Sequence, residues 1–245
     1  MGGRLLGHDR SRTVPERAVG ARPRLGFAAR WLVAYLSRHE VPDGVVLDLA
    51  CGSGVFAAGI ATTGRRVFGI DASRETVALA RRAAPGARFE VGSIYRARFP
   101  DSAIVAIIGE GLSCVPPSGD LPELSATFAR VWKCLHRRGL FVFDVITGPM
   151  RKLVPGRNHR TAREWAVLSE THGLGHRSRF ERRITTFRET RGRYRRSDEV
   201  HVVQVFDRGR VVETLRQAGF AVRSMRAYEQ GAQLPGWTVF VARKR

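Results

Sequence analysis

Apolar residues recur along this chain in two rhythms, and the change of rhythm divides it. Phe27, Trp31, Leu32, Tyr35 and Leu36 fall at helical spacing and predict an amphipathic helix that ends before Pro42. Pro42-Asp43-Gly44 then reads as a turn. Residues 45 to 49, VVLDL, predict a fully buried strand, and Asp48 is its one polar position. A glycine turn, Cys51-Gly52-Ser53-Gly54, opens a helix over Val55 to Ala61, and Val67 to Ile70 is a second strand ending at Asp71. Ser73 can cap the next helix, with Glu75 in its first turn and Pro85-Gly86 as its stop. Arg88 to Val91 is a third strand and Ala103 to Ile108 a fourth, apolar throughout. Leu121, Leu124, Phe128, Val131 and Leu135 mark one face of a helix that Gly139 would cap. Leu140 to Ile146 is a fifth strand.

Strands alternating with helices imply a parallel sheet with helices on both faces. After the fifth strand the rhythm breaks. Between Trp165 and Phe206 there are no helix signals, only β-leaning runs at 165 to 170, 180 to 187 and 194 to 206, with a turn at Arg191-Gly192. An antiparallel insertion explains this. A short helix from Val211, capped by Gly219, and two closing strands, Phe220 to Tyr228 and Thr238 to Ala242, complete the chain. The expected architecture is α/β and doubly wound, a Rossmann-like, seven-stranded, mostly parallel sheet with an antiparallel β insertion after strand five. Residues 1 to 22, polar and Arg-rich, are expected as a flexible arm, and 23 to 245 as one domain in which 148 to 207 lie on the substrate side.

Composition changes this picture in one respect. The formal net charge is +20, carried almost wholly by arginine, because Lys occurs only at 133, 152 and 244. Such charge suits a polyanion such as RNA. The arginines are spread along the chain instead of forming one block, so nucleic acid stays the second choice of partner. No apolar run is long enough to span a bilayer, and the N-terminal stretch lacks the apolar segment of a signal peptide. Cys51, Cys114 and Cys134 are odd in number and widely spaced, so no zinc or disulfide framework is expected, in keeping with a cytoplasmic location.

The candidate chemistry gathers at the glycine turn. Gly52, Gly54 and Ala57 fit the G-x-G-x-x-G/A fingerprint of dinucleotide binders, and Asp71 follows Gly52 by 19 positions. Asp48 argues against a dinucleotide, because it would face a pyrophosphate across a partly desolvated pocket. A ligand carrying an ammonium and a sulfonium would instead be attracted there.

LDLACGSG followed by GIDAS resembles motif I and the ribose acid of class I S-adenosylmethionine-dependent methyltransferases. The resemblance extends through IVAIIGEGLSCV and GLFVFDVITG to the closing AGF and WTVFVARKR. It implies S-adenosylmethionine as cofactor. Ala50, Cys51, Gly52 and Gly54 would lie along the cofactor's methionine part, with Asp48 near its amino group. Asp71 would take the ribose hydroxyls, Ala72 would pack beside the adenine, and Ser93-Ile94 would sit at the adenine edge. Ser93 stands where the commoner pattern has Asp, so any contact it makes to the adenine amino group is a neutral one.

The ligand of an open α/β sheet lies beyond the carboxyl ends of the strands. Glu110, between two glycines at the end of strand four, is the first candidate near the methyl group, as cofactor contact or base. His201 and Tyr194, on predicted strands of the insertion, are the other candidate catalytic residues. His172 and His176 lack a third partner, so no metal site is expected. Trp31 and Tyr35 either cover the cofactor or pack the first helix on the core. The arginines at 191, 193, 195 and 196 form either a solvated hairpin tip or an anion site. The expected activity is methyl transfer to a small-molecule acceptor by in-line displacement, by a monomer or homodimer. The alternatives are an RNA methyltransferase and a non-catalytic cofactor-binding protein. GEGLSCVPP stands where an RNA-directed enzyme would carry Asn/Asp-Pro-Pro-aromatic.

Overall fold

A computed structural model describes residues 21–116, 119, 123–149, 153–175, 178–228 and 236–245. The expected arm at residues 1 to 20 and the helix position Leu121 lie outside the described residues. In chain order the elements are α1 (Ala21–Leu36), β1 (Val46–Leu49), α2 (Val55–Ala61), β2 (Val67–Asp71), α3 (Arg74–Ala83), β3 (Arg88–Val91), β4 (Ser102–Ile107) and α4 (Leu124–Cys134). There follow β5 (Leu135–Ile146), β6 (Gly156–Ala162), β7 (Trp165–Gly173), β8 (Arg179–Thr190), β9 (Arg193–Gln204), α5 (Arg208–Gln217), β10 (Phe220–Met225) and β11 (Trp237–Lys244).

Seven strands form one sheet in the order β10-β11-β5-β4-β1-β2-β3. β1, β2, β3, β4 and β5 pair in parallel, and β11 runs antiparallel to both β5 and β10. The expected sheet is therefore observed. Its strands are apolar on both faces because both faces are covered. Val46, Ile104, Ala106 and Val142 pack with Leu32 of α1, Phe56 of α2 and Val77 of α3. Leu47, Val105, Phe141 and Phe143 pack with Phe128 of α4 and Leu215 of α5. Phe143 stacks on Phe240 at 5.0 Å and on Phe141 at 4.6 Å, tying β11 to β5 on that face.

The insertion is a separate antiparallel sheet, β6-β7-β8-β9. Arg191 (φ 54) and Gly192 (φ 72) make the two-residue turn between β8 and β9, as the sequence predicts. β6 was not predicted, because GRNHRTA is polar and six of its seven residues are exposed. A small apolar cluster, Ile146, Phe180, Val203 and Val205, seats this sheet on the end of β5. Backbone bonds reinforce the seam: Phe206 N donates to Ile146 O at 2.8 Å, Val115 N to Val202 O at 2.8 Å and Gln204 N to Ser113 O at 2.7 Å.

Two sequence expectations need correction. α1 begins at Ala21, so the last two residues of the expected arm are helical. Gly139 does not cap α4, which ends at Cys134 with Leu135 already extended. It lies inside β5, after Arg138 (φ 62), where the β4–β5 register shifts. A Cβ at Gly139 would sit 2.8 Å from His136 O and 2.9 Å from Ala103 O, both backbone atoms. Packing against this irregularity, and not helix capping, is what requires glycine there. Gly139→Ala should therefore cost about 1–3 kcal/mol in urea unfolding, and an unchanged midpoint would contradict that role.

Candidate active site

β1 lies between β2 and β4, so the chain's path reverses at β1 and a crevice opens beyond the strand ends. A cavity of about 700 Å3 occupies it. One wall comes from the sheet: Asp48, Ala50 and Cys51 at the end of β1, Asp71 and Ala72 at the end of β2, Ser93, Ile94 and Tyr95 after β3, and Gly109, Glu110 and Gly111 after β4. The opposite wall is the insertion. Its strands alternate, so Ser169, Thr171, Arg182, Ile184, Glu199 and His201 face the cavity, while Leu168 and Val200 point outward.

The glycine turn passes through left-handed backbone at Ala50 (φ 56), Gly52 (φ 51) and Gly54 (φ 76). A side chain on Gly54 would meet Ala80 Cα of α3 at 2.8 Å. Gly54 thus serves close packing of the turn on α3, and neither Gly52 nor Gly54 contributes to the cavity lining. Gly52 acts through Asp71: its N–H donates to Asp71 Oδ2 at 2.9 Å. Asp71 Oδ1 accepts from Ser73 N and from Thr76 Oγ1, both at 2.9 Å. Three donors, from the glycine turn and the start of α3, therefore hold this carboxylate at the cavity edge. Asp48 is 2% exposed on the same floor.

The segment after β3 is fastened from below. Arg130 of α4 donates to Ile94 O at 2.7 Å and to Ala97 O, and its guanidinium lies 4.1 Å from the Phe99 ring centroid. Ser93 Oγ accepts from Tyr95 N at 3.2 Å, so the turn already uses one of its lone pairs. After β4, Gly109 N donates to buried Asp144 at 2.7 Å, and Tyr228 Oη donates to the same carboxylate at 2.9 Å.

The insertion side of the cavity differs from the sequence expectations. Glu110 lies at the cavity, but its carboxylate is ion-paired with Arg182 of β8. His201 also reaches the cavity, with both ring nitrogens engaged: Nδ1 lies 3.7 Å from Cys114 Sγ and Nε2 lies 3.1 Å from Glu199 Oε2. The hydrogen bonds to Cys114 and then to Glu199 outweigh burial and raise its pKa to about 10. His201 is thus held as an imidazolium near neutrality and is no free base. Tyr194 is 61% exposed, two positions from the β8–β9 turn, and is absent from the cavity lining. That position removes it from the catalytic candidates.

Other candidates lie off the cavity lining. Trp31 and Tyr35 stack at 5.1 Å, and Trp31 packs on Tyr228 at 5.8 Å, while Leu25 of the same helix reaches the cavity. The arginines at 191, 193, 195 and 196 are exposed at the hairpin tip, and Arg196 pairs with Asp198 at 2.9 Å. His172 lies 3.6 Å from Glu170, and His176 is outside the described residues. Among the described residues no cluster of three metal-ligating side chains occurs, and no helix is long and apolar enough to cross a membrane.

Sequence reasoning missed Tyr95, Cys114, Arg130, Arg182 and Glu199. Arg182 and Glu199 carried a usable signal. Arg182 is the cross-strand partner of His201, and Glu199 lies two residues before it, on the same face of the sheet. Cys114 comes to His201 only through the isolated bridge between Cys114 and Val203, which no local pattern announces.

Comparison with known proteins agrees with this geometry. Residues 46–139 match the family described as a methyltransferase domain. A putative methyltransferase of Geobacillus sp. (strain WCH70) is 26% identical over 196 residues, 74% of this chain and 76% of that protein. The structure of an S-adenosylmethionine-dependent methyltransferase from Clostridium acetobutylicum ATCC 824 covers 89% of this chain and 91% of its own, with TM-score 0.76 and 15% identity. The sugar N-methyltransferase KedS8 from Streptoalloteichus sp ATCC 53650 matches over 100% of both chains, with TM-score 0.75 and 19% identity. Residues 46–139 thus carry a methyltransferase domain, within the fold of the class I S-adenosylmethionine-dependent methyltransferases.

The His201 pair has a consequence for stability. A group whose pKa is raised on folding contributes fully below its unfolded value, about 6.5 for histidine, and loses that contribution as pH climbs through the folded value. The stability difference between wild type and His201→Gln in urea should be largest near pH 6 and shrink towards pH 10. A difference that grows with pH would contradict the pairing.

Proposed function

We propose that the cavity binds S-adenosylmethionine along its sheet wall and a small-molecule methyl acceptor against the insertion. The observation that carries this reading is the division of charge across the cavity. The sheet wall presents Asp48 and Asp71, and the glycine turn from 48 to 54 holds no cation. That floor suits an ammonium and a sulfonium and repels a pyrophosphate. Asp71, already fixed by three donors, would accept from the ribose hydroxyls, and Asp48 would face the amino end. Ala72 and Ile94 would flank the adenine, and the turn at Ser93 would offer its edge. Ala50 and Cys51 would line the methionine part, with Gly52 and Gly54 shaping the turn behind them. The bound cofactor supplies an activated methyl group, while the protein's share is to align the acceptor and exclude water.

The opposite wall supports a polar acceptor of modest size. Ser169, Thr171, Thr186 and Asn158 offer neutral hydrogen-bonding groups, and the charges of Arg182 and His201 are each paired with a carboxylate. KedS8, which shares the fold over its whole length, is described as a sugar N-methyltransferase, and this favours a small molecule over RNA. Cys51, Cys114 and Cys134 form no disulfide with one another, which accords with a cytoplasmic enzyme, acting as monomer or homodimer.

Calorimetric titration with S-adenosylmethionine and with its demethylated product tests the cofactor site. Both should bind, and Asp71→Asn should weaken binding at least about tenfold, since a hydrogen bond to a charged group is worth roughly 1.5–3 kcal/mol. Unchanged affinity in a folded variant would remove the ribose role, and no heat at millimolar ligand would overturn the cofactor assignment.

A further inference from the structure

The inner face of the insertion continues past the cavity as a row of arginines. Antiparallel register orders its rungs between β8 and β9: Arg182 with His201, Ile184 with Glu199, Thr186 with Ser197, Arg188 with Arg195 and Thr190 with Arg193. The cavity lining reaches Thr186. The next rung, about 7 Å further along the strands, sets Arg188 directly against Arg195. Trp165 of β7 flanks Arg188, and Arg160 of β6 shares the Thr186 rung through Val167. Arg160, Arg188, Arg193 and Arg195 are all exposed. Two observations set this row apart from a solvated tip. The first is where the acids lie. On the outer face Arg183 pairs with Glu181 and Arg196 with Asp198. Beyond Thr186, Glu189 falls on that outer face and Glu164 in the turn between β6 and β7. Among the described residues no ion pair reaches the four inner arginines. Like charges set directly opposite weaken a strand pair, so the Arg188–Arg195 rung opposes hairpin stability while the acids serve the other face. The second observation is Ser197. Its Oγ, on the rung between cavity and row, is buried with no hydrogen-bond partner among the described residues. Buried hydroxyls are ordinarily satisfied.

Resting on the methyltransferase reading, we propose that the Arg188–Arg195 rung, with Arg160 and Arg193 beside it and Ser197 at its inner edge, binds a phosphate group carried by the methyl acceptor. A phosphate supplies what the row lacks. Its oxygens accept from both guanidinium groups in the bidentate geometry that arginine favours, and one can accept from the Ser197 hydroxyl. The anion relieves the repulsion between Arg188 and Arg195. It also anchors the far end of the acceptor, so that the near end is held in the cavity where the methyl group is delivered. Trp165 is the row's one aromatic residue, too few to stack the successive bases of a nucleic-acid strand. The row's continuity with the cavity at Thr186 therefore favours a phosphorylated small molecule over RNA.

Calorimetric titration of the full chain with inorganic pyrophosphate tests the proposal. Salt at about 0.15 M screens the general field of the protein beyond about 8 Å. Wild type should bind, and the double variant Arg188→Gln, Arg195→Gln should bind about tenfold or more weakly. The control, Arg183→Gln with Arg196→Gln, removes the same two charges from the outer face and should leave the affinity nearly unchanged. Equal losses in the two double variants would overturn the proposal, by making net charge the cause. No binding at millimolar pyrophosphate would overturn it without any variant. Pyrophosphate should bind alongside S-adenosylhomocysteine, because the two occupy opposite walls, and competition between them would place the anion in the cofactor site instead. RNA affinity that rises more than about a hundredfold from a 4-mer to a 12-mer, with the loss confined to the inner-face variant, would overturn it in favour of a nucleic-acid acceptor. Binding heat for S-adenosylhomocysteine, measured on the same samples, separates the two readings. Its absence overturns the cofactor site and with it the role of the row, whereas intact heat with unselective pyrophosphate binding overturns the row alone.

Discussion

The central sheet is buried on both faces, and that constraint decides where polar chemistry can sit. Between α1, α2 and α3 on one side and α4 and α5 on the other, a charged side chain mid-strand would be stranded in an apolar core. Carboxylates therefore appear at or near the carboxyl ends of strands: Asp48 on β1, Asp71 on β2 and Asp144 on β5. Because β1 has β2 on one side and β4 on the other, the loops after these strands diverge and leave a crevice. The acidic floor of the crevice follows from the burial of the sheet.

The insertion solves the opposite problem. A crevice at the edge of a sheet is open to water, and methyl transfer gains from water's exclusion. The four-stranded sheet closes it, seated by Phe180 and Val203 against Ile146 and by backbone bonds at Val115, Gln204 and Phe206. Over the cavity its inner face carries charges, each with a partner. Arg182 reaches across to Glu110, and His201 sits between Glu199 and Cys114. The two walls differ accordingly: acids held by backbone donors on the floor, paired charges and hydroxyls on the roof.

Much of the fold was legible in the sequence because continuous apolar runs such as residues 103 to 108 permit few readings. The acidic floor of the crevice was legible too, since Asp48, the glycine turn and Asp71 are close in sequence and their spacing is set by one strand–turn–helix–strand unit. Failures came where contacts are distant or patterns weak. β6 is polar along its length, so alternation gave no signal. Gly139 lies just after a helical run and mimics a cap, while its actual constraint is the backbone of His136 together with that of Ala103 on β4, dozens of residues upstream. On the insertion, His201 was found by residue type, but its partners were fixed by cross-strand register and by a single bridge to Cys114. Tyr194 shows the converse: a plausible residue type on a strand, carried by its register to the exposed tip.

The account's central claim is that the floor built by Asp48 and Asp71 holds S-adenosylmethionine with its methyl group turned towards the insertion. A crystal structure of the complex with S-adenosylhomocysteine tests it most directly. The account predicts the ribose hydroxyls within hydrogen-bond distance of Asp71, the amino end near Asp48, and the sulfur facing Cys114, Glu110 and the β8–β9 wall. A ligand seated elsewhere, or one whose ribose makes no contact with Asp71, would contradict it.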